Sequence, residues 1–160
     1  MPYVDHSWTG TPTAGVREFE GSYGSCYVST AVETVITVGG TEVKALGTTT
    51  AGLLRGFSHA NNKLTYLSDQ TATFRVEVDA VVICAGDAKT LAISVAKNGT
   101  EVAATKTTLA LATGAVPTSM STVGLVSLTQ GQYVEVYFAN DTDTDNGTIN
   151  LMQFCVTEVG

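Results

Sequence analysis

The stretch TFRVEVDAVVIC, residues 73–84, determines the fold class that this sequence predicts. From Thr73 to Asp79, polar and apolar residues alternate at every position, which is typical of a β-strand with one buried face. From Ala80 to Cys84 every residue is apolar, so both faces of the strand must be covered there. We therefore expect a long strand whose first half has one buried face and whose second half has two.

The rest of the chain repeats this pattern in short runs separated by turn residues. Further strand-like runs cover residues 26–28, 34–38, 91–96, 124–128, 132–138 and 148–159. Asn98-Gly99 predicts a two-residue hairpin turn, because a type I′ turn needs positive φ at both central positions. No run has a sustained helical period, so the pattern indicates an all-β sandwich or barrel.

The domain organisation is one core preceded by an arm. A chain of 160 residues is long enough for a single domain that needs no disulfide or metal. Residues 1–25 contain two of the three prolines and little alternation, and we interpret them as an extended N-terminal arm before a domain at residues 26–160. The candidate partner-binding residues in the arm are Tyr3, Trp8 and Arg17. Two alternatives remain: the arm contacts a neighbouring surface, or it folds back on its own domain.

Charge argues against two classes of partner. The net charge is −7 and no segment gathers its few Lys and Arg residues into a stripe, so binding to nucleic acid or to an anionic membrane is not expected. The first residues do not resemble a secretory signal, and no apolar run approaches bilayer length. Only 14% of residues are charged, against about 25% in typical domains, which suits packing against other protein copies.

Catalytic chemistry is not predicted, and neither is a cofactor. Asp5-His6-Ser7 contains triad residue types, but neighbours in an extended chain point to opposite faces. His59 has no partner at ligand spacing and is expected in a solvated loop. Three separated cysteines, each in an apolar run, are interpreted as buried thiols.

The acidic segment DTDTDNG, residues 141–147, has two interpretations. Asp141, Asp143 and Asp145 alternate, so their carboxylates are candidate ligands for a divalent cation. The segment departs from an EF-hand loop because Asn146 and Met152 occupy the positions of the invariant Gly and the bidentate Glu. The alternative is an acidic loop between two strands, with Asn146-Gly147 forming the turn.

Several of these strands also resemble a known family. The motifs are LTY (64–66), ATFRVEV (72–78), VAKNGT (95–100), LTQGQYVEV (128–136) and FCVT (154–157). Together they resemble the jelly roll of C1q and tumour-necrosis-factor-like trimers and, more closely, the jelly-roll proteins that tailed bacteriophages carry on their virions, of the capsid decoration (cement) or head-fibre type. The resemblance covers about residues 26 to 159.

This resemblance implies an antiparallel jelly-roll sandwich of eight strands that assembles as a homotrimer. It further implies a structural role on the capsid surface after synthesis in the host cytoplasm, with the major capsid protein as partner. The chain has no coiled-coil or repetitive stalk ahead of the jelly roll, which favours a capsid decoration protein over a tail fibre.

Two functional expectations follow from that assembly. The candidate trimer-interface residues are Val81, Ile83, Met152 and Phe154, on strands with two apolar faces; the alternative is that the arm covers those strands. The competing function is a receptor- or glycan-binding head, for which Tyr133 and Tyr137 on one strand face would supply an aromatic platform.

Overall fold

The computed structural model describes residues 21–159, whose regular secondary structure is almost entirely β-strand. In chain order the strands are β1 (Tyr23–Ala31), β2 (Glu33–Thr34), β3 (Val43–Lys44), β4 (Gly47–Arg55), β5 (Phe57–Ala60), β6 (Lys63–Tyr66), β7 (Ala72–Cys84), β8 (Lys89–Lys97), β9 (Thr100–Glu101), β10 (Thr107–Leu111), β11 (Thr118–Leu128), β12 (Tyr133–Asn140) and β13 (Gly147–Val159). One turn of 3₁₀-helix, Ala103–Thr105, separates β9 from β10. Within residues 21–159, no helix is long and apolar enough to cross a membrane.

The strands form two antiparallel sheets that share one core. Sheet I has the order β11-β7-β13-β1-β4, with β2 paired to β13; sheet II has the order β10-β8-β12-β6-β5, with β3 paired to β12 and β9 to β8. The predicted all-β jelly-roll sandwich is confirmed. Each sheet has five strands along its main path, so the sandwich has more strands than the eight that the resemblance implied.

Residues 73–84, which predicted the fold class, lie in β7, next to the centre of sheet I. Phe74, Val76, Val78 and Val82 alternate along it and are completely buried, because successive strand residues point to opposite faces. The Phe74 ring meets Tyr66 of sheet II at 4.8 Å between centroids, in an edge-to-face arrangement. β7 therefore links the two sheets through its inner face.

The jelly roll begins earlier than the sequence indicated. The first strand starts at Tyr23, inside the stretch assigned to the arm, and pairs with both β13 and β4. The predicted partner-binding residues Tyr3, Trp8 and Arg17 lie outside the described residues.

The two Asn-Gly pairs have different structures. Asn98 and Gly99 have φ of 50° and 79° and connect Lys97 to its partner Thr100, which confirms the predicted hairpin. Asn146-Gly147 was expected to form a similar turn, and that prediction was wrong. Gly147 is the first residue of β13, and a Cβ there would lie 2.4 Å from the Phe138 ring, so packing requires this glycine.

Candidate self-association surface

The outer face of sheet I consists of the side chains that point away from the core. The strand register places Leu125 beside Arg75, Val123 beside Glu77, and Ser119 beside Val81 on β11 and β7. On the other side of β7, Val81 lies opposite Leu151 and Asp79 opposite Gln153 of β13. Tyr27 of β1 lies opposite Gln153 of β13. This set of side chains is called the outer face below.

Large apolar side chains are exposed on this face. Leu151 is 63% exposed, Leu125 62% and Val123 53%, and Tyr23 and Tyr27 are also exposed. Single exposed apolar residues are ordinary on protein surfaces, whereas a contiguous group marks an interaction surface. The register divides them into two apolar groups, Leu125 with Val123 on β11 and Leu151 beside Val81, and the polar row of Ser121, Asp79 and Gln153 lies between the groups.

A groove of about 580 Å³ crosses the face. Its lining combines the apolar Val81 and Leu151 with the polar Asp79, Ser119 and Gln153, and Tyr27 stands at one side. Its apolar lining is concave and open to solvent. A complementary convex surface would bury it.

Three charged side chains of the outer face lie on β7, and Arg55 of β4 lies opposite Tyr23 on the same face. Arg75 and Glu77 neutralise each other through a 2.5 Å contact between the guanidinium and carboxylate. Asp79 has no charged partner within residues 21–159. The face therefore combines exposed apolar side chains with one ion pair and, at Asp79, one carboxylate that has no charged partner among the described residues.

The predicted trimer-interface residues divide between the two faces of sheet I. Val81 and Ile83 are half-buried and alternate with the core residues of β7, so they point outward as expected. Met152 and Phe154 point into the sandwich core, where both are buried, so their assignment to a second face was wrong. Leu151 occupies the outward position beside Val81.

A β-bulge causes this change of face on β13. The register with β7 shifts between Ile149 and Leu151, so Asn150 is an extra residue that reverses the alternation. Before the bulge Ile149 is buried, and after it Met152 and Phe154 are buried. Because both phases of this strand are apolar, the alternation alone does not reveal the reversal.

The outer face of sheet II, by contrast, is closed by the chain itself. Ala92, Ser94 and Ala96 point away from the core but are completely buried. Segment 35–46 contains β3, which pairs with β12 at the edge of this sheet, and its Glu42 side chain reaches over the outer face, where the carboxylate accepts a hydrogen bond from Ser94. Ala45 N–H donates to the Val136 carbonyl at 3.0 Å.

Ion pairs hold the same segment in place. Lys44 Nζ lies 2.9 Å from a carboxylate oxygen of Glu135, whose residue is only 2% exposed. Lys106 Nζ lies 3.3 Å from Glu42. The partners in this cluster are far apart along the chain, so no local sequence pattern predicts it.

The two tyrosines considered as a sugar platform are already engaged. Lys63 Nζ lies 3.8 Å from the centroid of the Tyr133 ring, within cation–π range. The Tyr137 hydroxyl donates a hydrogen bond to the Gly99 carbonyl at 2.9 Å. These contacts reduce the ring surface that a sugar could reach.

The acidic loop binds a lysine of the same chain. Asp143 and Asp145 both contact Lys89 Nζ, the latter at 2.7 Å, and Asp141 pairs with Lys106 at 3.4 Å. The Lys89 ammonium holds the pKa of the Asp143 carboxyl below its usual value of 3.8, and the two carboxylates raise the pKa of Lys89. The part of the chain that the structure describes has no group of three acidic, His or Cys side chains arranged for a metal, so the candidate divalent-ion site is replaced by an ion-pair cluster.

The cysteines and His59 have separate structural roles. Cys26 and Cys84 are buried as expected, and Cys155 is half-buried on the outer face. Burial raises the pKa of the Cys26 thiol to about 12. His59 was expected in a loop, but it lies on β5 with Nε2 2.7 Å from Thr49 Oγ1.

Comparisons with known proteins identify the fold alone. No protein-family model matches this chain, and no curated protein matches it. Among solved structures, murine APRIL at pH 5.0 is similar with a TM-score of 0.55 and 14% identity, over 88% of this chain and 100% of that one. Murine APRIL at pH 8.0 gives a TM-score of 0.53 and 12% identity over 86% and 99% of the two chains. This similarity supports a tumour-necrosis-factor-like jelly roll, in agreement with the strand order of the two sheets.

Proposed function

We propose that this protein is a structural virion protein of a tailed bacteriophage, a homotrimer that decorates and stabilises the capsid shell. It would be made in the host cytoplasm, bind the major capsid protein, and act by assembly instead of catalysis. The observation that carries the proposal is the contrast between the two outer faces. On sheet II the Glu42 and Lys44 side chains contact Ser94 and Glu135 across the outer face, whereas sheet I presents Leu125, Leu151 and Val123 to solvent.

Self-association through the outer face follows from the cost of leaving that surface in water. Burial of apolar area stabilises an interface by about 25 cal/mol per Å². The Arg75–Glu77 pair lowers part of the charge penalty of burying this face, whereas Asp79 needs a partner from another copy, since buried unpaired charges oppose association. The number of copies, three, comes from the resemblance to C1q and tumour-necrosis-factor-like trimers.

The virion role is supported by the resemblance to phage jelly-roll proteins and by the composition. A decoration protein strengthens a shell by adding interface area, and this needs an assembled body with an uncharged surface. Only 14% of the residues are charged. The virion role extends beyond self-association and therefore needs a separate experiment.

The self-association is tested by placing a charge on the outer face. We expect Leu125→Asp to convert the trimer to monomers in sedimentation velocity, because three carboxylates would be buried without partners. Leu67→Asp is the matched control, since Leu67 is also exposed but lies after β6, away from the outer face. A trimer that survives Leu125→Asp, or dissociates equally with Leu67→Asp, would contradict the proposed interface.

The virion role is tested by counting copies on purified particles and by binding to expanded shells that lack the protein. Hundreds of copies per particle, with saturable binding of the trimer to shells, would support decoration. A few copies per particle would contradict it and favour the receptor- or glycan-binding head. A glycan array then distinguishes the latter function directly.

A further inference from the structure

The groove on the outer face of sheet I has an acidic position beside an apolar one. Asp79 is exposed in the middle of β7, and no ion pair among residues 21–159 includes it. Val81 lies two residues further along β7, on the same face, with Leu151 of β13 opposite it. The carboxylate and the apolar position are therefore about 7 Å apart along the strands. A segment that fits this groove carries a cation and an apolar group at the same separation.

The other cations of the described residues are engaged within the chain. The sequence contains eight lysines and arginines. Arg55 has a partner, and six others contact a carboxylate, a carbonyl or an aromatic ring, namely Lys44, Lys63, Arg75, Lys89, Lys97 and Lys106. The eighth is Arg17, the one cation in residues 1–20. It is the candidate that can bring a positive charge to Asp79.

The sequence around Arg17 fits both positions of the groove. Arg17 and Phe19 are two residues apart, so in an extended chain both side chains point to the same side, about 7 Å apart. If this segment runs in the direction of β7 with Arg17 at Asp79, Phe19 lies over Val81 and Leu151. The guanidinium then pairs with the carboxylate, and the ring and the two apolar side chains leave water together.

The arm of the same chain is too short for this arrangement. β1 stays paired with β13 as far as Ser22, whose N–H donates to a Glu158 carboxylate oxygen at 2.7 Å. Asp79 lies five residues back along the sheet from Ser22 and two strands across, which is about 19 Å. The chain from Ser22 to Arg17 spans at most about 17 Å, and it must first reverse. Its backbone therefore ends short of Asp79.

The direction of that arm is also wrong. β1 and β7 run parallel, since each pairs antiparallel with β13. An arm that turned back from β1 would run antiparallel to β7. With Arg17 at the carboxylate, Phe19 would then lie over Glu77 instead of the apolar position. An arm that arrives from a second copy is free of both restrictions, because packed β layers are only about 10 Å apart.

We propose that the groove of each copy holds the arm of a neighbouring copy, with Arg17 at Asp79 and Phe19 over Val81 and Leu151. This inference rests on the proposed self-association through the outer face, and it names the segment that crosses between copies. Each copy gives its arm to one neighbour and receives an arm from the other. Contacts of this head-to-tail kind close into a ring when the rotation between copies allows it.

The experiment reverses the charge at each of the two positions. Asp79→Arg and Arg17→Asp are measured separately, combined in one chain, and as an equimolar mixture of the two single variants, by sedimentation equilibrium. We expect each single variant to raise the concentration for half-assembly by more than about tenfold, because like charges meet in every contact. The combined variant should return to the wild-type value.

The mixture distinguishes a neighbour's arm from the arm of the same chain. A trimer that contains both single variants has like charges in only one of its three contacts. We therefore expect the mixture to assemble at a lower concentration than either variant alone. Asp69→Arg is the matched control, since Asp69 is exposed between β6 and β7 and makes the same change of charge away from the outer face. Circular dichroism checks that each variant is folded.

Three results would overturn the proposal. The first is wild-type assembly of both folded single variants, and the second is an equal loss of assembly in Asp69→Arg. The third is a mixture no better than its components beside a restored combined variant, because the arm would then lie on its own chain. A monomeric wild type would refute the proposed self-association as well, whereas any of these results with a trimeric wild type refutes the arm exchange alone.

Discussion

Replacing Leu151 by alanine tests how much the outer face contributes to assembly. Leu151 is 63% exposed in the single chain, and the substitution removes three carbon atoms from its side chain. At about 0.8 kcal/mol per buried carbon group, and scaled by that exposed fraction, each copy loses about 1.5 kcal/mol of interface energy, or about 4.5 kcal/mol per trimer. Each 1.4 kcal/mol raises the trimer dissociation constant about tenfold. The protein concentration at which half of the chains are assembled varies as the square root of that constant. This concentration should therefore rise roughly 40-fold.

Sedimentation equilibrium over a wide concentration range measures this shift. Leu67→Ala is the control, because Leu67 is exposed away from the outer face. We expect its half-assembly concentration to equal that of the wild type. An unchanged midpoint for Leu151→Ala, or an equal shift for Leu67→Ala, would refute the assignment of this face.

Three further predictions concern the stability of the single chain, measured by urea unfolding in the Leu125→Asp background. Phe154→Ala should lower the free energy of unfolding by about 3–5 kcal/mol, because this ring is completely buried in the core; a negligible loss would contradict that position. Gly147→Ala should cost about 1–3 kcal/mol, since its Cβ would lie 2.4 Å from the enclosed Phe138 ring, and unchanged stability would contradict that packing. The Asp143 carboxyl has a pKa below its usual 3.8, so its stabilisation is present above that pH and is lost as the pH falls further. Asp143→Asn should therefore reduce the loss of stability below about pH 3.8, and an acid transition identical to that of the wild type would exclude this contribution.

Local chain chemistry made the hairpin at Asn98-Gly99 predictable. Asn98 and Gly99 have the positive φ that a two-residue turn needs, and glycine and asparagine are the residues that adopt it most easily. The same dipeptide at residues 146–147 does not form a hairpin, because β12 and β13 belong to different sheets. Whether an Asn-Gly pair forms a turn therefore depends on where the flanking strands pair.

The acidic loop at residues 141–147 also shows that a local pattern does not identify the partner of a candidate site. The spacing of Asp141, Asp143 and Asp145 predicted that three carboxylates converge on one cation. In the structure Asp143 and Asp145 contact the Lys89 ammonium, whereas Asp141 pairs with Lys106. Lys89 begins β8, more than fifty residues earlier in the chain. No local pattern identifies a partner that only the packing of distant strands brings into contact.

The sequence by itself determined that this chain is an all-β sandwich and that the second half of β7 is apolar on both faces. Both follow from alternation and turn residues, which are properties of neighbouring positions in the chain. Only the tertiary structure decided which residues of β13 face outward, since the bulge at Asn150 reverses an alternation that is apolar in both phases. Within residues 21–159 it also decided which sheet has its outer face covered. The Glu42 and Lys44 side chains reach across sheet II to Ser94 and Glu135, whereas Leu125 and Leu151 of sheet I are exposed.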